Sequence, residues 1–279
     1  MKFGYVLPGG SARFASEAAR IAEESGWNGF FVWEPVWGVD AWVSLTAAAM
    51  VTRQIRLGTM VSPLSRMRPW KIASETATLD QLSGGRVILS VGLGALETGF
   101  EAFGEVTDRK TRAELLDESL GILTGLWKGQ PFSYEGKHYQ IRPAQFNPPP
   151  PPTQKPRIPI WVVGLWPNPR SMRRVVKYDG ILPARQNEKR EFVDITPQDV
   201  SEIRTFMLER EPQASDFDIV VEGQTPGKDA AAEIARVRAF AEAGATWWIE
   251  SNWELSEKMA QQESMDAVLD RIRQGPPRG

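Results

Sequence analysis

Residues 79–94 read LDQLSGGRVILSVGLG, an apolar segment between a glycine pair and a Gly-Leu-Gly. The pattern predicts a helix that ends at Gly84-Gly85 and a strand, Arg86–Val91, that follows at once. Gly92-Leu93-Gly94 closes the strand. A glycine there either forms a plain turn or lets a ligand approach the backbone closely, and the residues leave both interpretations open.

The same alternation of short apolar runs and amphipathic stretches continues on both sides of this segment. The other predicted strands are Lys2–Leu7, Gly29–Trp33, Ile55–Ser62, Ile160–Val163, Gly180–Pro183, Phe217–Val221 and Thr246–Glu250. The predicted helices are Ala12–Ser25, Ala41–Thr52, Pro69–Leu82, Arg109–Trp127, Pro169–Lys177, Pro197–Glu211, Lys228–Ala243 and Ser256–Arg273. Eight strand–helix units predict an α/β fold, a (β/α)8 TIM barrel, as one domain over residues 1–279. A hairpin and a proline-rich stretch containing Pro148–Pro152 form an insertion, at about 130–158, between strands four and five.

Composition excludes several classes of function. The 279 residues carry a net charge of −2 and contain no cysteine and one histidine, His138. Disulfides and cysteine-based metal sites are therefore excluded, and a metal site is not expected. The charge gives no reason to expect a nucleic-acid or membrane partner. The N-terminal residues lack the features of a signal peptide, and we expect a cytoplasmic protein.

In such barrels the chemistry lies at the carboxyl ends of the strands. There we expect Glu34 and Glu97 as candidate acids or bases, and a substrate pocket formed by Leu7, Trp33, Trp37, Pro183 and Glu250. Each glutamate could equally be a rim residue. An apolar mouth with few acids suits a flat conjugated cofactor that brings its own reactivity.

The segment after strand five, GLWPNPRSM, offers a second kind of site. Asn168, Arg170 and Ser171 lie at a predicted helix start, where free backbone N–H groups can hold a phosphate. The alternative is a capped helix with a surface arginine.

Three stretches make the chain resemble the bacterial luciferase-like family of flavin- and deazaflavin-dependent oxidoreductases. They are Ile55–Gly94, the hairpin-to-strand-five segment Tyr134–Gly164, and YDGILPA at Tyr178–Ala184. The resemblance implies coenzyme F420 or FMN at the strand ends, with a non-prolyl cis peptide at Met60–Val61. It places the cofactor near Met60, Val61, Ser62, Gly92, Leu93 and Gly94, and its phosphate near Gly164, Leu165, Asn168, Arg170 and Ser171. It also implies a homodimer and, for FMN-type members, a partner reductase.

The chain departs from several F420-dependent members because WEPVWGVDAW, after strand two, contains no histidine. The leading hypothesis is an oxidoreductase that uses F420, which we prefer, or FMN. It would transfer a hydride or activate oxygen on a small organic substrate. One alternative is a glycoside hydrolase on the same barrel, which needs two converging carboxylates such as Glu222 and Glu250. The other is a flavin-binding protein without catalytic activity.

Overall fold

The computed structural model describes residues 1–144, 150–210, 216–225, 229–260 and 264–277. Its strands are β1 (Lys2–Leu7), β2 (Gly29–Val32), β3 (Arg56–Thr59), β4 (Ser62–Pro63), β5 (Val87–Gly92), β6 (Phe132–Glu135), β7 (Gln140–Ala144), β8 (Ile160–Trp166), β9 (Gly180–Gln186), β10 (Phe192–Val193), β11 (Asp218–Gly223) and β12 (Trp247–Glu250). Its helices are α1 (Ala12–Glu24), α2 (Ala41–Val51), α3 (Pro69–Ser83), α4 (Arg109–Lys128), α5 (Pro169–Val175), α6 (Pro197–Arg210), α7 (Ala230–Glu242), α8 (Ser256–Ala260) and α9 (Met265–Arg273).

Eight parallel strands close into a barrel, which confirms the predicted fold. Their order is β1-β2-β3-β5-β8-β9-β11-β12, and β12 pairs with β1 to complete the ring. The helices begin where the sequence places capping residues. The side chains of Ser11, Asp40 and Asp108 accept hydrogen bonds from backbone N–H groups in the first turns of α1, α2 and α4. Gly84, in the left-handed conformation at φ 70°, ends α3 as predicted.

The barrel interior is packed with large side chains. Phe31, Trp161 and Trp247 form its lower layer, with ring centroids 5.2–6.2 Å apart. Gly58 lies beside this layer, where a Cβ atom would lie 3.1 Å from the Phe31 ring and 2.3 Å from the carbonyl oxygen of Ile88. Other side chains on this inner face include Val6, Met60, Leu182, Val220 and Ile249. Since side chains alternate along a strand, these residues fix which positions point into the barrel and which point toward the helices.

Two predicted elements differ from the structure. The predicted strand Ile55–Ser62 is interrupted at a cis peptide between Met60 and Val61 and resumes as β4. The predicted helix Ser256–Arg273 is wrong as one element. The chain forms α8 and α9, and Ser264, just before α9, has a positive φ of 62°. Some predicted positions lie outside the described residues. They are Glu211, where one helix was predicted to end, Lys228, where another was predicted to begin, and part of the Pro148–Pro152 run.

Hydrogen bonds attach the described parts of the insertion to α4 and α3. The carboxylate of Glu118 on α4 accepts hydrogen bonds from the backbone N–H groups of Lys137, His138 and Tyr139 at 2.9–3.2 Å. Farther along, the backbone and side-chain amides of Gln154 donate to Asp80 on α3 at 3.0 and 2.6 Å. The β6–β7 hairpin therefore packs on α4, beside the barrel wall.

Candidate active site

A cleft of about 600 Å³ opens at the carboxyl ends of β1 and β2. Its walls come from the loops after these strands, the first turns of α1, and the segment that includes α8. Of the predicted pocket residues, Leu7, Trp33 and Trp37 line it, together with Phe14, Ser256, Met259 and Met265. Pro183 and Glu250 are not among its lining residues. Hydroxyl groups on its walls already have partners, because Ser44 and Ser256 donate to the carbonyls of Asp40 and Pro8.

Glu34, predicted as a candidate acid or base, is half-buried just after β2. Its Oε2 accepts a hydrogen bond from the hydroxyl of Ser62 at 3.0 Å, and that hydroxyl lies 2.9 Å from Thr59 Oγ1. Burial raises the pKa of Glu34 to about 7, although the Ser62 hydroxyl and the nearby Arg66 guanidinium both favour the carboxylate. A carboxyl with such a pKa can hold or release a proton near neutral pH.

Glu97, the other candidate, lies in a single 3-10 turn at residues 96–98 and is exposed to solvent. The structure therefore brings Glu34, but not Glu97, into a buried hydrogen-bonded setting. Arg66, which sequence reasoning did not single out, donates to the carbonyls of Glu34 and Pro35 at 3.1 and 2.7 Å. It fixes the backbone that carries Glu34.

The two glycines at the end of β5, Gly92 and Gly94, have different surroundings. Gly94 has a φ of 77°, and a Cβ atom there would lie 2.8 Å from Phe100 and Pro63, so it serves the turn. Gly92 has an ordinary φ. A Cβ atom on Gly92 would lie 3.0 Å from Val163 and 3.2 Å from Val61, at the open end of the barrel. The absence of a side chain at Gly92 therefore lets Val61 and Val163 pack closely against the end of β5.

Arg112 on α4, which the sequence did not single out, contacts the loop at the end of β5. It is 6% exposed, and its Nη1 donates to the carbonyls of Leu93 and Gly94 at 3.0 and 3.1 Å. Its Nε is buried and has no hydrogen-bond partner among the described residues. The signal was present, since Arg112 lies on the same apolar stripe of α4 as Leu116 and Leu123.

The end of β8 shows the geometry of a capped helix. Asn168 Oδ1 accepts from the N–H groups of Arg170 and Ser171 at 3.0 and 3.2 Å, and the hydroxyl of Ser171 accepts from Leu165 N–H at 2.9 Å. Gly164 points toward the helices, where a Cβ atom would lie 2.6 Å from Ile181. The predicted phosphate site here stays a prediction, and the N–H groups it invokes carry intramolecular hydrogen bonds.

Glu222 and Glu250 lie on opposite faces of the sheet. Glu250 faces the helical layer, where Thr225 donates to both of its oxygens and Arg271 Nε lies 3.4 Å from Oε1. Glu222 belongs to the inner face, two residues beyond Val220. The two carboxylates do not converge, so the geometry gives the glycoside hydrolase hypothesis no support.

Comparison with known proteins assigns the chain to a family. The model of the luciferase-like monooxygenase family matches residues 1–270. This chain belongs to the luciferase-like monooxygenase family. Among curated relatives, uncharacterized proteins of Mycobacterium bovis and Mycobacterium tuberculosis are 33% identical over 169 residues. That match covers 52% of this chain and 58% of the length of each relative.

Solved luciferase-like structures share the barrel. The F420-dependent tetrahydromethanopterin reductase of Methanopyrus kandleri aligns with a TM-score of 0.72 and 17% identity, covering 96% of this chain and 99% of that one. An F420-dependent secondary alcohol dehydrogenase, solved with an F420–acetone adduct, gives 0.72 and 17%, covering 94% and 97%. The FMN-bound oxygenating component of 3,6-diketocamphane monooxygenase from Pseudomonas putida gives 0.70 and 16%, covering 98% of each chain. At these identities the likeness shows the fold.

Proposed function

We propose that this luciferase-like chain is an oxidoreductase that binds coenzyme F420, or alternatively FMN, at the barrel mouth, and acts on a small organic substrate. Family membership over residues 1–270 supports an oxidoreductase or monooxygenase. F420 is the preferred cofactor, as the sequence suggested. The cleft beside β1 and β2, with its aromatic and thioether walls, is the proposed substrate pocket.

The residues at the end of β5 fit a flat, anionic cofactor. Gly92 lets Val61 and Val163 pack closely at the end of β5, so that this part of the mouth has an apolar wall. Arg112 supplies a buried positive charge beside Leu93 and Gly94, and its Nε has no hydrogen-bond partner within the described ranges. Buried donors of this kind normally find a partner, and a cofactor phosphate or carbonyl would provide one.

When bound, the cofactor supplies hydride transfer or the activation of oxygen. The protein's own residues would do the rest. Apolar walls from Phe14, Trp33 and Met259 exclude water from the substrate. Glu34, with its pKa near 7, would hold or deliver a proton, and Ser62 and Arg66 keep its carboxyl and backbone in place.

The buried Nε of Arg112, which has no partner in the part of the chain that the structure describes, is the observation that carries this proposal, and a binding titration tests it. Purified apoprotein is titrated separately with F420 and with FMN, and binding is followed by fluorescence. We expect saturable binding of one cofactor, and at least a tenfold loss of affinity in Arg112→Met. The control is Arg174→Met, which removes an equally charged side chain that pairs with Asp117 on α4.

Each outcome of the titration has a meaning. Selective F420 binding would direct the search to alcohols or reducible substrates, and selective FMN binding to an oxygen-consumption screen with a partner reductase. Tight binding without any turnover would favour a non-catalytic flavin-binding protein. If neither cofactor binds, the proposed function is wrong.

We also propose that the chain forms a homodimer through α2. This helix contains no charged residue, and Val43, Met50 and Val51 are exposed on its outer face. A helix that is apolar on all sides is normally covered.

In the described part of the chain, no helix is long and apolar enough to cross a membrane. The cytoplasmic location stays a prediction.

A further inference from the structure

Glu222 is an acidic side chain on the inner face of the barrel that the proposed chemistry does not use. Asp218 and Val220 precede it on the same face, where Asp218 accepts from the indole N–H of the interior Trp161 at 3.0 Å. The next residue, Gly223, faces the opposite side, since a Cβ atom there would meet Trp248 at 2.5 Å. Glu222 is exposed to solvent, so its carboxylate lies at the mouth.

The carboxylate of Glu222 has neutral partners. The indole N–H of Trp253 donates to Oε1, and the hydroxyl of Ser251 also contacts the carboxylate. No lysine, arginine or histidine in the described ranges forms an ion pair with it, whereas Glu250, on the other face, has Arg271. Loss of hydration at the carboxyl group raises the pKa of Glu222 above its ordinary value, and the hydrogen bonds from Trp253 and Ser251 oppose this rise.

The partners of Glu222 connect it to the substrate cleft. Trp253 and Ser251 begin the segment that continues into α8, and Ser256 and Met259 of α8 line the cleft. Arg13 and Glu17, which also line the cleft, lie one helical turn apart on α1 and together add no net charge to its wall. Glu222 is not a lining residue of the cleft, but it adds a negative charge near it that has no ion-pair partner among the described residues.

We propose that Glu222 is a substrate-binding residue that accepts hydrogen bonds from a protonated amine, so that the substrate class is a small apolar amine. A charge-assisted hydrogen bond to an ammonium group is stronger than one to a neutral hydroxyl. Tryptophan rings at the mouth, such as Trp33 and Trp253, add favourable contacts for a cation. The reaction of the amine rests on the proposed function, but its binding does not.

The test compares two probes of nearly equal shape, benzylamine and benzyl alcohol, by calorimetric titration of the cofactor-loaded protein at neutral pH. We expect the wild type to bind benzylamine about tenfold or more tightly than benzyl alcohol. Glu222→Gln removes this preference, with little change in the affinity for the alcohol. Glu254→Gln, an exposed neighbour that makes the same change in net charge, retains it.

Trp253→Phe provides a second variant, because it keeps the carboxylate and removes its indole donor. We expect it to bind benzylamine at least as well as the wild type. Equal binding of the two probes by the wild type overturns the inference. An equal loss for both probes in Glu222→Gln also overturns it, since the residue would then be structural. The benzylamine and benzyl alcohol titrations are repeated on the cofactor-free protein to separate the two proposals. Failure to bind F420 or FMN contradicts the proposed function, whereas the preference for the amine tests the role of Glu222 alone.

Discussion

Glu34 and Glu23 show how local surroundings set the properties of a single carboxyl group. Glu34 follows β2, and Glu23 lies in the last turn of α1. Burial acts to raise the pKa of each. The carboxylate of Glu23 accepts three backbone N–H groups, from Arg53, Gln54 and Ile55, and these lower its pKa below the ordinary value. Glu34 has one hydroxyl donor and a nearby arginine, which do not outweigh burial. The Glu34 carboxyl is also the more deeply buried, so burial and the number of backbone donors together separate the two.

The first prediction concerns Glu34→Gln and pH. The pKa of Glu34 rises from 4.5 to about 7 on folding, so the folded state binds the proton more tightly. The resulting stabilisation is complete below pH 4.5 and is lost as the pH rises through 7. Between pH 4.5 and 8 the wild type should lose up to about 3 kcal/mol of unfolding free energy relative to Glu34→Gln.

Urea denaturation of both proteins across this pH range measures the difference. Glu97→Gln, which changes an exposed glutamate, should run parallel to the wild type. If Glu34→Gln also runs parallel to the wild type, Glu34 is not held protonated by burial.

At the scale of elements, Arg86 joins two helices to the barrel. Its guanidinium donates to the carbonyls of Ala49, Thr52, Ile55 and Ser83 and to the Thr52 hydroxyl, at 2.7–3.1 Å. Ala49 and Thr52 lie at the carboxyl end of α2, where the last carbonyls have no partner within the helix. Arg86, which directly precedes β5, therefore caps the carboxyl end of α2.

The second prediction is that Arg86→Met destabilises the protein by about 3 kcal/mol or more, because several buried carbonyls lose their donor. Arg86→Lys should be intermediate, since an ammonium group cannot reproduce the planar fork. Arg20→Met, which breaks an exposed pair with Glu24, should cost less than about 1 kcal/mol. Chemical denaturation measures all three. A loss no larger than that of Arg20→Met would mean that water replaces the guanidinium.

The order of elements could be predicted from the sequence because each strand and helix has its own local signal. Capping residues such as Asp40 and the glycine pair at the end of α3 act within a few residues. The faces of the strands were harder to assign. Glu222 and Glu250 both read as strand-end glutamates, and the interior packing of Val220 and Ile249 decides that they diverge. Arg112 was missed because its role depends on the loop it meets, eighteen residues away in sequence at Gly94.

At the scale of the whole molecule, the proposed dimer makes a third prediction. Wild-type protein should sediment as a dimer, and a double change of Val43 and Met50 to glutamate should give a folded monomer. These residues lie seven apart on the exposed face of α2, where two carboxylates cannot be buried against a second copy without a large cost. Phe192→Glu, at a residue that is 73% exposed on β10, should leave the dimer intact. A wild-type monomer at micromolar concentration would contradict the proposal.

The paired indoles of Trp161 and Trp247 give the molecule a built-in optical reporter. Their ring centroids are 5.2 Å apart and their planes are inclined by 67°, with Trp161 held in orientation by Asp218. Two such chromophores couple, and their fixed handedness produces a circular dichroism signal in the ultraviolet that isolated tryptophans lack. The signal comes from the lower layer of the barrel. It therefore reports whether β8 and β12 remain joined through the interior while molecules enter and leave at the other end.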